Sequence, residues 1–547
     1  MQKIFENGTI ITMDESCPRA EAVLVENGSI IKVGSREDVF AAARDGARVI
    51  DLKGRTLLPG FFDAHGHFIS TALAELSFVD LRCAPVGRIR SIAQMIQALK
   101  SSPQARKGKG PIVGFGYDDT LIEDGRMAEA EDLDQVSRTR PVIVIHSSFH
   151  LVMANTAAMK AAGADSPDFK PEGGVVRRRN GKAVGVFEEM PAARGLMNIA
   201  FNGSAISKLF TGIGSISRTY LKNGVTTICE GASGNDMVKV VKLAMKTGQF
   251  PARYLICPNL TDEGTVPPRI KGRHIINGPV KLFMDGSIQC YTASLTEPYY
   301  TEAPGREGDT DYKGFTHMSV EELRGKLETI LESNRSFAIH SNGDDALDKI
   351  IEALEGCQNL DRNHYKRNLI IHCQTAREDQ LDKMKYLNLY PSFFPAHIYV
   401  WGDRHYNTFL GPRRAERLDP AGSAVRQGII FSLHNDSPVT PTKPLELVWN
   451  AVTRRTKEGR ILGEDQRISV MEALKGVTIY AAYQYKVEDI LGSITEGKRA
   501  DFVALDRNPL EVPAESLKDI RTERVWVDGR IVWSDTFRQK GTESREI

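Results

Sequence analysis

Leu57-Leu58-Pro59-Gly60-Phe61-Phe62-Asp63-Ala64-His65-Gly66-His67 is an apolar run that stops at two histidines one residue apart. On extended backbone, residues i and i+2 face the same side, so both imidazoles can reach one cation placed at a strand's end. Two solvated histidines beyond a strand would produce the same spelling. The distinction rests on whether the rest of the chain supplies further ligands.

Downstream of this stretch, apolar strand-like runs alternate with amphipathic ones, the pattern of a parallel α/β architecture. Val280-Lys281-Leu282-Phe283-Met284-Asp285-Gly286, Ser336-Phe337-Ala338-Ile339-His340 and Asn368-Leu369-Ile370-Ile371-His372 read as strands. Tyr390 to His397 and Ile429-Ile430-Phe431-Ser432-Leu433 continue the series. After the second strand Ala346, Leu347, Ile350, Ile351 and Leu354 recur at helical spacing. Each run ends in or just before a polar, chemically capable residue, as expected at the carboxyl-terminal mouth of a (β/α)8 barrel. The expected fold is therefore α/β, a distorted (β/α)8 TIM barrel over residues 57–489.

Both ends differ in character. Residues 1–56 read as short strands with an Asn27-Gly28 hairpin turn and almost no helical signal, and strand-like sequence returns in 490–547. Sheets of two or three strands are marginal alone, so the ends are expected to combine into one small composite β domain, a β-sandwich. Residues from about 100 to 215 fit a barrel least well and are expected to form a β-containing insertion over its mouth. Within them lies a hairpin, Gly173 to Phe187, centred on Asn180-Gly181. Its Arg177, Arg178 and Arg179 read as a solvated edge or as a site for an anionic substrate.

Composition narrows the partners. Among 547 residues, 71 Lys and Arg balance 70 Asp and Glu, so no overall field draws the protein to nucleic acid or anionic lipid. A small-molecule substrate is expected, with a homodimer as the favoured assembly. Seven cysteines without CxxC spacing suggest buried free thiols rather than a disulfide framework. An acidic residue and a turn signal arrive in Met1 to Gly8 before any apolar stretch long enough for a signal-peptide core, and no run approaches the ~18–20 apolar residues of a membrane span. The expected location is the cytoplasm.

Of the twelve histidines, His340 and His372 each end an apolar run, joining His65 and His67 as candidate metal ligands. Asp436 follows another such run, in Leu433-His434-Asn435-Asp436. Lys281 lies inside a strand, where an unpaired ammonium is costly. It is either salt-bridged to Asp285 or Asp436, or carbamylated to give a carboxylate able to bridge two cations. This nitrogen and oxygen set suits zinc or a similar divalent ion, one or two per chain.

Together these residues resemble the amidohydrolase superfamily, specifically its amidohydrolase-3 or YtcJ-like branch, which includes N-substituted formamide deformylases. The resemblance rests on Leu57 to His67, Gly114-Phe115-Gly116-Tyr117-Asp118, Leu133-Asp134 leading to Arg140-Pro141-Val142, and His150-Leu151-Val152-Met153-Ala154-Asn155. It continues through Lys281 to Ser287, His340-Ser341-Asn342-Gly343-Asp344, and Gly497-Lys498-Arg499-Ala500-Asp501-Phe502. It implies that His65, His67, His340, His372 and Asp436 hold the metal and that Lys281 is the carbamylated bridge. The chain departs from the branch at Gln289-Cys290-Tyr291 and at Ile371-His372-Cys373, which bears on the substrate more than on the metal.

The chemistry expected of such a cluster is hydrolysis of a non-peptide carbon–nitrogen bond, amide or N-formyl, by a metal-activated water. Asp436 would shuttle the proton to the departing nitrogen. His397 or His150 would stabilise the oxyanion, although His150 reads equally as a structural residue of the insertion and His397 as a strand-end hydrogen-bonding group. Hydrolysis of a cyclic amide, ester or phosphoester at the same centre is the alternative chemistry, and a non-catalytic regulatory or binding protein is the alternative class.

Overall fold

Strand Thr56–Pro59 lies between the two chain ends. It runs parallel to Gln2–Ile11 on one side and antiparallel to Phe502–Leu505 on the other. Around this pair the order is Arg530–Ser534, Thr522–Val527, Phe502–Leu505, Thr56–Pro59, Gln2–Ile11, Arg19–Glu26, Ser29–Gly34, with Arg48–Asp51 also on Gln2–Ile11. The expected sandwich is thus one hydrogen-bonded sheet of eight strands. This computed structural model describes residues 1–201 and 203–535, and not the side chains of 204, 235–237, 364 and 365. Residues 536–547 of the expected terminal segment lie outside the described residues.

Asn27 and Gly28 take φ of 52° and 82° in the turn joining Arg19–Glu26 to Ser29–Gly34, the left-handed pair that a tight hairpin needs. A helix absent from the sequence expectation spans Arg36–Ala42, capped by the Ser35 side chain on the Asp38 amide. It buries Val39 alone, too little for an amphipathic period to register.

Buried Arg253 ties this sheet to the rest of the molecule. Its guanidinium donates to both oxygens of Asp501 at 2.6 and 2.9 Å and to Asp528 at 2.7 Å. Forked pairing of this kind carries geometric as well as electrostatic weight. Arg499 also donates to Asp528, at 2.7 Å, so the Gly497–Phe502 motif earns its spelling by holding two sheets together.

Two parallel sheets follow. One contains Phe61–Phe62, Val225–Ser233, Arg253–Pro258 and Ile275–Asn277, adjacent in chain order. The other contains Val280–Phe283, Phe337–Ser341, Asn368–His372, Leu389–Phe393 and Ser432–Leu433, again adjacent in chain order. All residues of Asn368–His372 are buried, which is why its sequence is a continuous apolar run rather than an alternation. The fold is mixed α/β. The strand pairings leave the two sheets separate, and they form no closed barrel among the described residues.

A six-stranded mixed sheet makes up the insertion. Its order is Val175–Arg179, Lys182–Glu188, Leu151–Ala154, Val142–His146, Ile112–Tyr117, Val79–Asp80, so it begins well before residue 100. Asn180 and Gly181 form its outer turn with φ of 51° and 79°. Arg177 pairs with Glu188 and Arg179 with Glu129, both at 2.6 Å, while Arg178 donates to backbone carbonyls. The three arginines are thereby committed to the hairpin's own structure. All seven cysteines are free and all but Cys17 are buried. No helix among the described residues is long and apolar enough to cross a membrane.

Candidate metal centre

His65 and His67 lie just beyond strand Phe61–Phe62 rather than on it. His67 is the residue from which helix Phe68–Ser77 starts. Asp436 comes to them from the end of Ser432–Leu433, its Oδ1 3.6 Å from His65 Nε2 and 3.4 Å from His67 Nε2. Its Oδ2 lies 3.8 Å from His372 Nε2. His372, Cys373 and Asp436 take φ of 70°, 51° and 51°. The chain therefore leaves two strands through the left-handed region at the residues that meet, a strain that clusters at functional sites.

His65, His67 and Asp436 form the tightest set, with ligand atoms within 4.8 Å of one another. Lys281 Nζ sits 3.4 Å from His65 Nε2 and 4.8 Å from the Phe283 ring centre. Its side chain is fully enclosed and makes no ion pair with Asp285 or Asp436. Asp285 instead accepts the amides of Ser294, Asn342 and Gly343 at 3.1, 3.0 and 2.8 Å. His340 stands one step out. Its Nε2 meets the Gly286 carbonyl at 3.0 Å and the Asn342 amide nitrogen at 3.1 Å, and its ring centre is 4.6 Å from that of His372.

The electrostatics favour a cation. Burial, with the Lys281 ammonium, holds His65 far below its ordinary value, and burial does the same to His340 and His372. Burial also lowers Lys281, to about 8. Asp436 is driven the other way. Burial opposes its charge, but the imidazoles around it, His67 foremost, outweigh that and keep the carboxyl ionised. Its Oδ1 is buried and accepts no hydrogen bond. An ionised carboxylate with an enclosed oxygen that accepts no hydrogen bond is costly unless something positive sits beside it, and the donor set fits a divalent ion of the zinc type.

His150 and His397 line the same cleft as His340, His372 and Asp436. His150 opens strand Leu151–Ala154 of the insertion, and its Nδ1 meets Glu189 Oε2 at 2.8 Å. His397 is not at a strand end as its sequence context suggested. Its strand stops at Phe393, and the residue sits in helix Ala396–Arg404 with Nδ1 3.6 Å from Asp419.

Three supporting residues escaped the sequence reading. Glu230 accepts the Ile69 amide at 2.8 Å and lies 3.9 Å from His67 Nδ1, and burial raises it to about 7. His434, pushed down to about 3 by burial, lies between Ser392 Oγ at 2.9 Å and His372 Nδ1 at 3.3 Å. Its place directly after the Ile429–Leu433 run was the available signal. Glu189 had none.

A second buried cluster, Asp118, Asp119 and His146, lies behind the cleft. Asp118 is saturated there: Thr120 supplies its amide and hydroxyl, Ser147 a hydroxyl at 3.1 Å, and Trp401 its indole N–H at 2.8 Å. This fastens the insertion to helix Ala396–Arg404. Replacing Trp401 by Phe is expected to cost about 1.5–3 kcal/mol, the value of a hydrogen bond to a charged group, read by chemical denaturation. An unchanged midpoint would remove Asp118 from the list of fastenings.

A family model described as the amidohydrolase family matches residues 48–533. The chain is 26% identical to an N-substituted formamide deformylase of Arthrobacter pascens, across 97% of this chain and 98% of that one. It is 28% identical to the protein LONG AFTER FAR-RED 3 of Arabidopsis thaliana, across 92% and 86% respectively. Among solved structures, a metal-dependent hydrolase from Pyrococcus furiosus aligns with a TM-score of 0.70 at 25% identity, across 93% of this chain and 100% of that one.

Proposed function

The chain belongs to the amidohydrolase family and is a metal-dependent hydrolase, and from that premise we propose that it cleaves a non-peptide carbon–nitrogen bond of the amide or N-formyl type. The observation that carries this most is the buried, unsatisfied Asp436 Oδ1 beside the imidazoles of His65 and His67. His65, His67, His340, His372 and Asp436 would hold one or two zinc ions, and Lys281, carbamylated, would bridge them. The enclosed Nζ with no carboxylate partner supports that role, since carbamylation replaces an isolated buried ammonium with a ligand.

We take the two parallel sheets as arcs of one distorted (β/α)8 barrel. The singly wound strand order supports it, as do the parallel bridge from Asn259 to Lys281 and the bonds from Asp436 N to His65 O at 3.2 Å and from His67 N to Ser437 O at 2.7 Å.

When bound, such a cation lowers the pKa of a coordinated water from about 15.7 towards about 7 and polarises a carbonyl oxygen. Asp436 takes the proton released in the attack and hands it to the departing nitrogen, which leaves poorly unless protonated. His150 and His397, which line the cleft, would stabilise the oxygen on which charge develops. Phe394 and Trp401, also lining the cleft, keep bulk water from it and strengthen each of these interactions.

The test is a screen of N-formyl, N-acyl and cyclic amide compounds, with ester and phosphoester controls, on protein of known metal content. We expect about one to two divalent ions per chain, loss of turnover on chelation and its return with zinc. Full turnover by metal-free protein would refute the proposal, and turnover confined to esters or phosphoesters would refute the bond assignment.

A further inference from the structure

The insertion reaches the cleft through the short turn between strands Val142–His146 and Leu151–Ala154, and the backbone is strained once in that turn and once at the residue that grips it. Phe149 takes φ of 62°, and Glu189, the first residue of helix Glu189–Ala200, takes φ of 68°. Neither is a glycine, so each conformation is held by its surroundings. For Glu189 the surroundings are His150. The Glu189 amide donates to the His150 carbonyl at 2.6 Å, and the Glu189 Oε2 meets His150 Nδ1 at 2.8 Å. Backbone and side chain of one residue thus grip backbone and side chain of the other.

Glu189 is buried and has a second histidine on it, His317, whose Nε2 lies 3.3 Å from the same Oε2. Its other oxygen, Oε1, is enclosed and accepts no hydrogen bond. Gly286 leaves it room: a Cβ at that position would stand 2.4 Å from Oε1. Such a carboxylate is placed at the cost of strain and an unsatisfied oxygen, and what it does with that placement is hold an imidazole. His150 is oriented with its ring centre 5.1 Å from that of His340, in the cleft beside His372 and Asp436.

We propose that Glu189 is a positioning residue, supplied by the insertion, that fixes the tautomer and ring angle of His150 so that His150 Nε2 points at the substrate. A carboxylate on one ring nitrogen settles which nitrogen carries hydrogen and raises the basicity of the ring. With Nδ1–H committed to Glu189, Nε2 is the atom left for the substrate. His317 steadies the carboxylate from its far side. The inference rests on the cleft role given to His150 under the proposed function.

Two measurements on the full-length, zinc-loaded chain test it. In long-range proton–nitrogen spectra of imidazole-labelled protein, with His150 assigned through His150→Gln, the parent is expected to show a single fixed tautomer protonated at Nδ1. Glu189→Gln, whose amide oxygen can still accept, is expected to keep it, and Glu189→Ala to show both nitrogens averaged. An averaged ring in the parent, or a fixed one in Glu189→Ala, overturns the proposal whatever the substrate proves to be. In turnover of the compound found by the screen, Glu189→Ala is expected to lower kcat about 10- to 100-fold with KM little changed, and to add no further loss in a His150→Ala background. An equal loss in both backgrounds would make Glu189 merely structural and also overturns it. If His150→Ala itself leaves kcat intact, the cleft role of His150 fails, while the spectra still decide whether Glu189 fixes the ring.

Discussion

Replacing Asp436 by Asn is expected to leave metal bound and to lower kcat by about 10²- to 10⁴-fold, the range in which a positioned proton carrier contributes. The amide keeps the shape and one ligand oxygen but cannot accept the proton released in the attack. The carboxyl of Asp436 lies within 3.4–3.8 Å of imidazole nitrogens of His65, His67 and His372. Beside those imidazoles it would both hold the cation and take the proton released from the attacking water. The measurement is metal content beside steady-state turnover. Retained metal with retained turnover would refute the shuttle, and joint loss of both would make Asp436 a ligand first.

Lys281→Ala is expected to lower turnover by about 10²- to 10³-fold, the scale for groups supporting developing charge, and to recover part of it when formate, acetate or propionate is added. The logic is steric and electrostatic. Removing the side chain leaves a hole beside His65 in which a small carboxylate can sit, taking the place of the carbamate. An amine acting only through its charge would not be replaced by an anion. Folding should tolerate the change, because the lost group is a buried amine with no ion pair. Thermal unfolding of the variant separates this from collapse of the site. Direct observation comes from electron density at Lys281, since a carbamate does not survive acidic mass analysis. Undiminished activity in Lys281→Ala would remove the residue from the centre altogether.

The strands that carry the candidate ligands were legible because parallel strands buried on both faces are spelled as uninterrupted apolar runs, and His340 and His372 end theirs in plain view. Asp436 was legible for the same reason. His397 was misplaced because Tyr390, Phe393 and Phe394 are strand formers, whereas the chain turns into a helix at Pro395, where proline's fixed φ suits a helix start. Glu189 and Glu230 were invisible for another reason. Each is a carboxylate brought to a histidine by tertiary packing across 39 and 163 residues respectively, measured from His150 and His67, and no local period encodes such a meeting. The insertion's earlier start at Val79 has a similar origin, since a two-residue strand is too short to announce itself by alternation.

The position of Thr56–Pro59 carries one more consequence, for the chain as it is made. Five residues separate that strand from His65, yet one of its two neighbours is Phe502–Leu505, and the Gly60 amide bonds to Asp501 O at 2.8 Å. During synthesis His65 and His67 therefore emerge hundreds of residues before the strand that anchors the base of their segment. A growing chain lacks that anchor until Phe502–Leu505 has left the ribosome. The site closes late, as a seam sewn from both ends of the thread.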